Sequence, residues 1–149
     1  MQSSLLAEGP QRTYAVIFDT GDEAMAGLLD FAASNNIDAA SFTAIGGFQS
    51  AMLAYFNIEA KEYEDIPCDE QVEVLTLAGD VARKQDGSRQ IHMHAVVGRR
   101  DGSTRGGHVK RATVRPTLEV VLTETPSHLR RTYDENVGLA LIDLSRSST

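Results

Sequence analysis

A chain of 149 residues, 42% hydrophobic and 23% charged, is long enough to bury the core of one domain and has the composition of an ordinary globular protein. No apolar run is long enough to span a bilayer, the first residues lack the basic start and apolar centre of a secretory signal, and the lone cysteine, Cys68, excludes an internal disulfide or a thiolate metal cage, all of which points to the cytosol. The net charge of −7 is unevenly spread: from Val81 to Arg115 nine basic residues face only Asp86 and Asp101, a local balance of +7, and the rest of the chain, five basic against nineteen acidic, stands at −14.

Met1 to Arg12 carries Ser, Gly and Pro without periodicity and reads as a frayed, flexible terminus. Thr13 to Asp19, TYAVIFD, is rich in β-branched and aromatic residues and reads as a strand. Thr20, followed three residues later by Glu23, reads as a capping box. The helix it opens has Met25, Leu28, Leu29 and Ala32 on its packed face and ends near Asn35 and Asn36.

Ala39 to Ile45 reads as a second strand closed by Gly46 and Gly47, a pair that lacks the Lys and helix start of a phosphate loop and so marks a turn or bulge. Ser50 to Asn57 and Gln71 to Gly79 alternate as further strands, joined by an acidic connection, Glu59 to Glu70, that contains Pro67. Gln85 to Ser88, QDGS, is a turn. Thr117 to Thr123 is an apolar strand interrupted by Glu119, and Gly138 to Leu144 is a last strand before a disordered tail, residues 145–149. Short connections favour antiparallel pairing. No repeat or second domain is visible between residues 13 and 144.

Three of the four histidines lie between Gln90 and Glu124. Residues two apart on a strand point to one face, so His92 and His94 can aim two imidazoles at one point, and His108, beyond the flexible Gly106 and Gly107, can return a third. If Asp101 and Gly102 centre a tight hairpin turn, Ala95 faces His108 and the third ring lands on the wrong side. The triad therefore requires a bulge or a wide loop near Gly106 and Gly107. Three imidazoles with an open fourth position are the pattern of catalytic zinc or another divalent transition metal, while the alternative is a set of ordinary half-buried polar side chains. Arg99, Arg100 and Arg105 are candidates to draw a small anionic ligand or a nucleic-acid backbone towards the histidines. Glu119, a carboxylate in an apolar strand, is a candidate ligand or catalytic proton carrier, or else a solvent-facing glutamate. His128 stands apart and reads as a surface residue.

The segments EVLTLAGDVA, IHMHAVVGRRDGSTRGGHV, TLEVVLTE and LRRTYDE together resemble the plant and prokaryote conserved (PPC) domain in its short single-domain form, from about Thr13 to Leu144. The resemblance implies an α+β fold on a strongly bent, mostly antiparallel sheet with one main packed helix, assembled as a homotrimer. It also implies the label of DNA-binding protein, with a regulatory or scaffolding role. The same fold group is similar to acetolactate decarboxylase, a zinc enzyme whose metal is held by a His-x-His pair and a later His. That likeness implies His92, His94 and His108 as ligands and gives a second reading, a zinc-dependent decarboxylase or hydrolase acting on a small carboxylate or ester.

Overall fold

A computed structural model of the protein describes residues 1–7, 9, 11–125 and 129–147. Its elements run β1 (Gln2–Ala7), β2 (Thr13–Asp19), α1 (Ala24–Ser34), β3 (Ala40–Asn57), β4 (Glu62–Cys68), β5 (Val72–Arg83), β6 (Arg89–Gly98), β7 (Thr104–Glu124), β8 (Arg131–Asp134) and β9 (Leu139–Ile142). The fold is dominated by antiparallel sheet, with a single α-helix among the described residues. That helix is neither long nor apolar enough to cross a membrane.

The main sheet has the order β1-β2-β7-β6-β5-β3-β4, and β7 also pairs with β3, so β3, β5, β6 and β7 close into a ring. Closure gives the sheet an inside and an outside, and strand alternation assigns each residue to one of them. On β6, Ile91, Met93, Ala95 and Val97 are buried, which leaves His92, His94 and Val96 on the outer face. Phe18, Phe48, Leu53, Leu77, Leu118 and Leu122 fill the interior, each side chain of this kind contributing about 1.5–3 kcal/mol on burial. Helix α1 packs Ala24, Leu28, Phe31 and Ala32 into the same core, and Phe31 meets Tyr14 edge-on with ring centroids 5.2 Å apart.

Several sequence expectations change here. The expected helix face included Leu29, which is exposed, while Phe31 takes the buried position. Thr20 does not cap the helix, because its hydroxyl donates to the Pro116 carbonyl; Glu23 is the N-cap and accepts from the Ala26 amide at 2.7 Å. Its other carboxylate oxygen accepts from the Ala112 amide, tying the helix start to β7. The first twelve residues are not wholly irregular: β1 adds to the edge of β2 from Gln2 to Ala7. The acidic connection is strand β4, an edge strand where Pro67 has no central ladder to break.

The two strands expected on either side of Gly46 and Gly47 are one, β3, bent at the glycines by register shifts against both neighbours. Gly46 has φ +148, and a Cβ there would run into the backbone of Thr117 and Leu118, so only glycine lets β3 and β7 approach so closely. Near this bend the Arg115–Pro116 peptide of β7 is cis. At the C-terminal end, β8 and β9 form a separate hairpin, and the last strand is shorter than the expected Gly138 to Leu144. Asp143 carries a turn through Ser145 and Ser147 where a tail was expected. His128 lies outside the described residues.

Candidate metal centre

His92 and His94 leave the outer face of β6, and His108 leaves β7 directly opposite His94. Ala95 therefore pairs with Gly107, not with His108. The extra residue sits in the hairpin loop, and the β6–β7 ladder runs without a shift past Gly106 and Gly107. The Arg99 amide donates to the Ser103 carbonyl at 2.8 Å and the Gly102 amide to the Arg99 carbonyl at 2.9 Å, enclosing a three-residue loop with Gly102 at φ +82. Asp101 fixes it by accepting from both the amide and the hydroxyl of Ser103. The β5–β6 loop is its twin, with Asp86, Gly87 (φ +83) and Ser88 in the same places.

The three rings meet. Centroids are 5.0 Å apart for His92 and His94, 5.1 Å for His92 and His108, and 5.6 Å for His94 and His108. One nitrogen from each lies within 4.8 Å of the others, a spacing that one ion can bridge. Nδ1 of His108 is buried and has no hydrogen-bond partner. A buried polar atom left unsatisfied costs about 1–3 kcal/mol, and a metal ion is a partner that removes that cost. Burial first, then repulsion from His92, His94, Lys110 and Arg131, holds His108 down at about 4. His94 is also lowered, by burial and then by His92. Both rings thus keep free lone pairs at neutral pH, the state a metal requires.

Three residues of this neighbourhood were not anticipated. Tyr63 of β4 stacks on His108 with centroids 4.7 Å apart, and burial raises its hydroxyl pKa against the pull of Arg131. Asp80 of β5 stands opposite His92, its Oδ2 3.8 Å from His92 Nδ1. Arg131 of β8, buried at 6% exposure, donates through Nη2 to both Asp80 oxygens at 2.7 and 2.8 Å, and that same Nη2 lies 3.3 Å from His92 Nδ1. Burial works to raise the Asp80 pKa, but the nearby His92 and the hydrogen-bonded Arg131 outweigh it and the carboxyl is held below its ordinary value. The available signals were Asp80 as a charge within an apolar strand and Arg131 as one of a pair in LRRTYDE.

The expected arginines are placed differently. Arg99 at the loop pairs with Glu70 at 2.6 Å, Arg105 donates to the Pro67 carbonyl at 2.6 Å, and Arg100 is exposed at the loop tip. The basic β6–β7 hairpin is thus partly neutralised by β4 and the turn after it, as Lys110 also pairs with Asp65 at 2.7 Å. Glu119 does not join the histidines: it is exposed, between Ile17 of β2 and Ile45 of β3, because its neighbours Leu118 and Val120 occupy the core.

A family model described as the Plants and Prokaryotes Conserved (PCC) domain matches residues 6–126. The chain belongs to the PCC domain family. Among solved structures, this PCC protein is similar to a candidate DNA-binding protein from Bacteroides thetaiotaomicron, with 27% identity, TM-score 0.86, and coverage of 97% of this chain and 99% of that one. It is similar to a metal-containing protein from Archaeoglobus fulgidus, with 29% identity, TM-score 0.83, and coverage of 96% and 99%. Acetolactate decarboxylase from Bacillus subtilis shares the fold over 74% of this chain and 52% of the enzyme, at 14% identity and TM-score 0.56. No curated protein matches the sequence.

Proposed function

We propose that this PCC protein is a metal-binding module in which His92, His94 and His108 hold one divalent transition-metal ion, with zinc favoured by the all-imidazole donor set. It works as a homotrimer in a regulatory or scaffolding role associated with DNA. The metal reading rests on the convergence of three imidazole nitrogens within 4.8 Å, one ring presenting a buried, unpartnered Nδ1. The metal-containing Archaeoglobus relative, alike over nearly the whole chain, supports it. When bound with an open position, such an ion polarises a carbonyl or a water. The chain's own residues supply neutral lone pairs from His94 and His108, a ring face from Tyr63 against His108, and a carboxylate beside His92.

Exposed apolar side chains on the outer face of the ring, Ile45, Leu75, Val96 and Val121, support self-association. The Bacteroides relative supports the link to DNA, and the exposed Arg100, Arg111 and Arg115 are the side chains that phosphates would meet. The likeness to acetolactate decarboxylase is one of fold.

Protein purified without chelator is expected to carry about one metal ion per chain by elemental analysis, with the mass of a trimer by light scattering. Replacing His92 and His94 together, or His108 alone, by Ala removes the metal. A wild-type protein that neither retains metal nor takes up added Zn²⁺ or Co²⁺ ends this reading.

A further inference from the structure

We propose that Arg131 is a positioning residue of the metal centre, so that the C-terminal β8–β9 hairpin, which lies beyond the matched PCC domain, is a working part of the site; this rests on the metal reading above. The route is short. Arg131 Nη2 grips both oxygens of Asp80, and Asp80 stands opposite His92 on the neighbouring strand, with the Nδ1 of His92 facing both groups. A metal-ligating imidazole takes its orientation from the partner on its second nitrogen, and Asp80 is the carboxylate placed for that task.

Arg131 is not placed to receive a ligand of its own. It is 6% exposed, Nη2 is spent on Asp80, and Nη1 donates to the Ala140 carbonyl at 3.2 Å. Its Nε is buried with no partner, so the guanidinium sits where Asp80 needs it and not where its own hydrogen bonds would be complete. The hairpin that carries it is fastened to the end of β5 by the Arg83 amide, which donates to the Leu129 carbonyl at 2.8 Å, and by the bridge between Arg83 and Arg130. The family match ends at residue 126, before this hairpin begins. The segment from Leu129 to Asp143, beyond the matched residues 6–126, therefore brings a buried cation to within one carboxylate of the histidines.

The test is Co²⁺ titration, followed by the visible absorption of the bound ion, with Zn²⁺ competition giving affinities. Arg131→Ala and Asp80→Asn are each expected to weaken binding about 10–100-fold and to change the cobalt bands, with Arg131→Lys between them and wild type. Thr132→Val, which removes the Thr132 hydroxyl bond to Asp143 at 3.1 Å in the same hairpin, is expected to keep the wild-type spectrum and affinity. If Arg131→Ala and Asp80→Asn bind cobalt as wild type does, or if Thr132→Val weakens binding as much as they do, Arg131 only holds the hairpin down and the inference is overturned. A wild-type protein that takes up no cobalt removes the metal reading itself, and this inference with it.

Discussion

His94 and His108 stand directly across from one another on β6 and β7, although fourteen positions apart in sequence, because the loop between them holds three residues and not two. In a strand pair a change of one residue carries a side chain to the opposite face. Loop length therefore decides whether the third imidazole joins the other two.

Gly102 is the residue that makes this loop possible. Its φ is +82 and a Cβ there would touch nothing within 4 Å, so a substitution feels only the backbone. Gly102→Ala is expected to cost about 1–2 kcal/mol in urea unfolding, and Gly102→Asn less. Deleting Arg100, which shortens the loop by one, is expected to abolish cobalt binding while circular dichroism still reports a sheet.

The low proton affinity of His108 makes the metal-free protein acid-sensitive. Between about 6.5 and about 4 the unfolded chain takes up a proton there that the folded chain refuses, so stability falls as pH drops through that window. The expected loss is roughly 2 kcal/mol, allowing for the partial exposure of the ring. Denaturant melts of the chelated protein at pH 7 and pH 4.5 check it, and His108→Gln should flatten the difference.

Arg12 ties the start of β2 to the end of β7. It meets Glu124 twice, Nε to Oε2 at 2.6 Å and Nη2 to Oε1 at 2.5 Å, and the arginine holds the Glu124 pKa below its ordinary value. Such a carboxylate stabilises the fold above its unfolded pKa, and the contribution disappears as pH falls through the folded one. Arg12→Ala is expected to cost about 1 kcal/mol at pH 7 and less in acid, where only the Arg12 bond to the Asn35 carbonyl and its contact with the Tyr14 ring remain, read from thermal melts across pH.

Tyr63 separates ring contact from hydroxyl chemistry. Tyr63→Phe retains the stack on His108 and is expected to leave metal affinity within about twofold. Tyr63→Ala removes the stack, and a fall in affinity of about 3–10-fold is expected in the same titration.

The short-range parts of this architecture were legible in the sequence. TYAVIFD matches β2 residue for residue, and the spacing of His92 and His94 placed both on one face. What escaped were features set by distant partners. Gly46 and Gly47 look like an end because glycine ends many strands, yet here they let β3 continue past β7. The acidic run around Glu62 reads as solvated connection until the basic hairpin it lies against is known. Asp80 and Arg131 are 51 positions apart, and nothing local to either announces the other.

That seating of Asp65 on Lys110 and Glu70 on Arg99 bears on how the molecule would meet a long polyanion. Its phosphates would have to evict carboxylates of the chain's own making, exchanging one ion pair for another. Fewer small counterions would be set free than a tally of lysines and arginines promises, and the dependence of binding on salt would be correspondingly shallow.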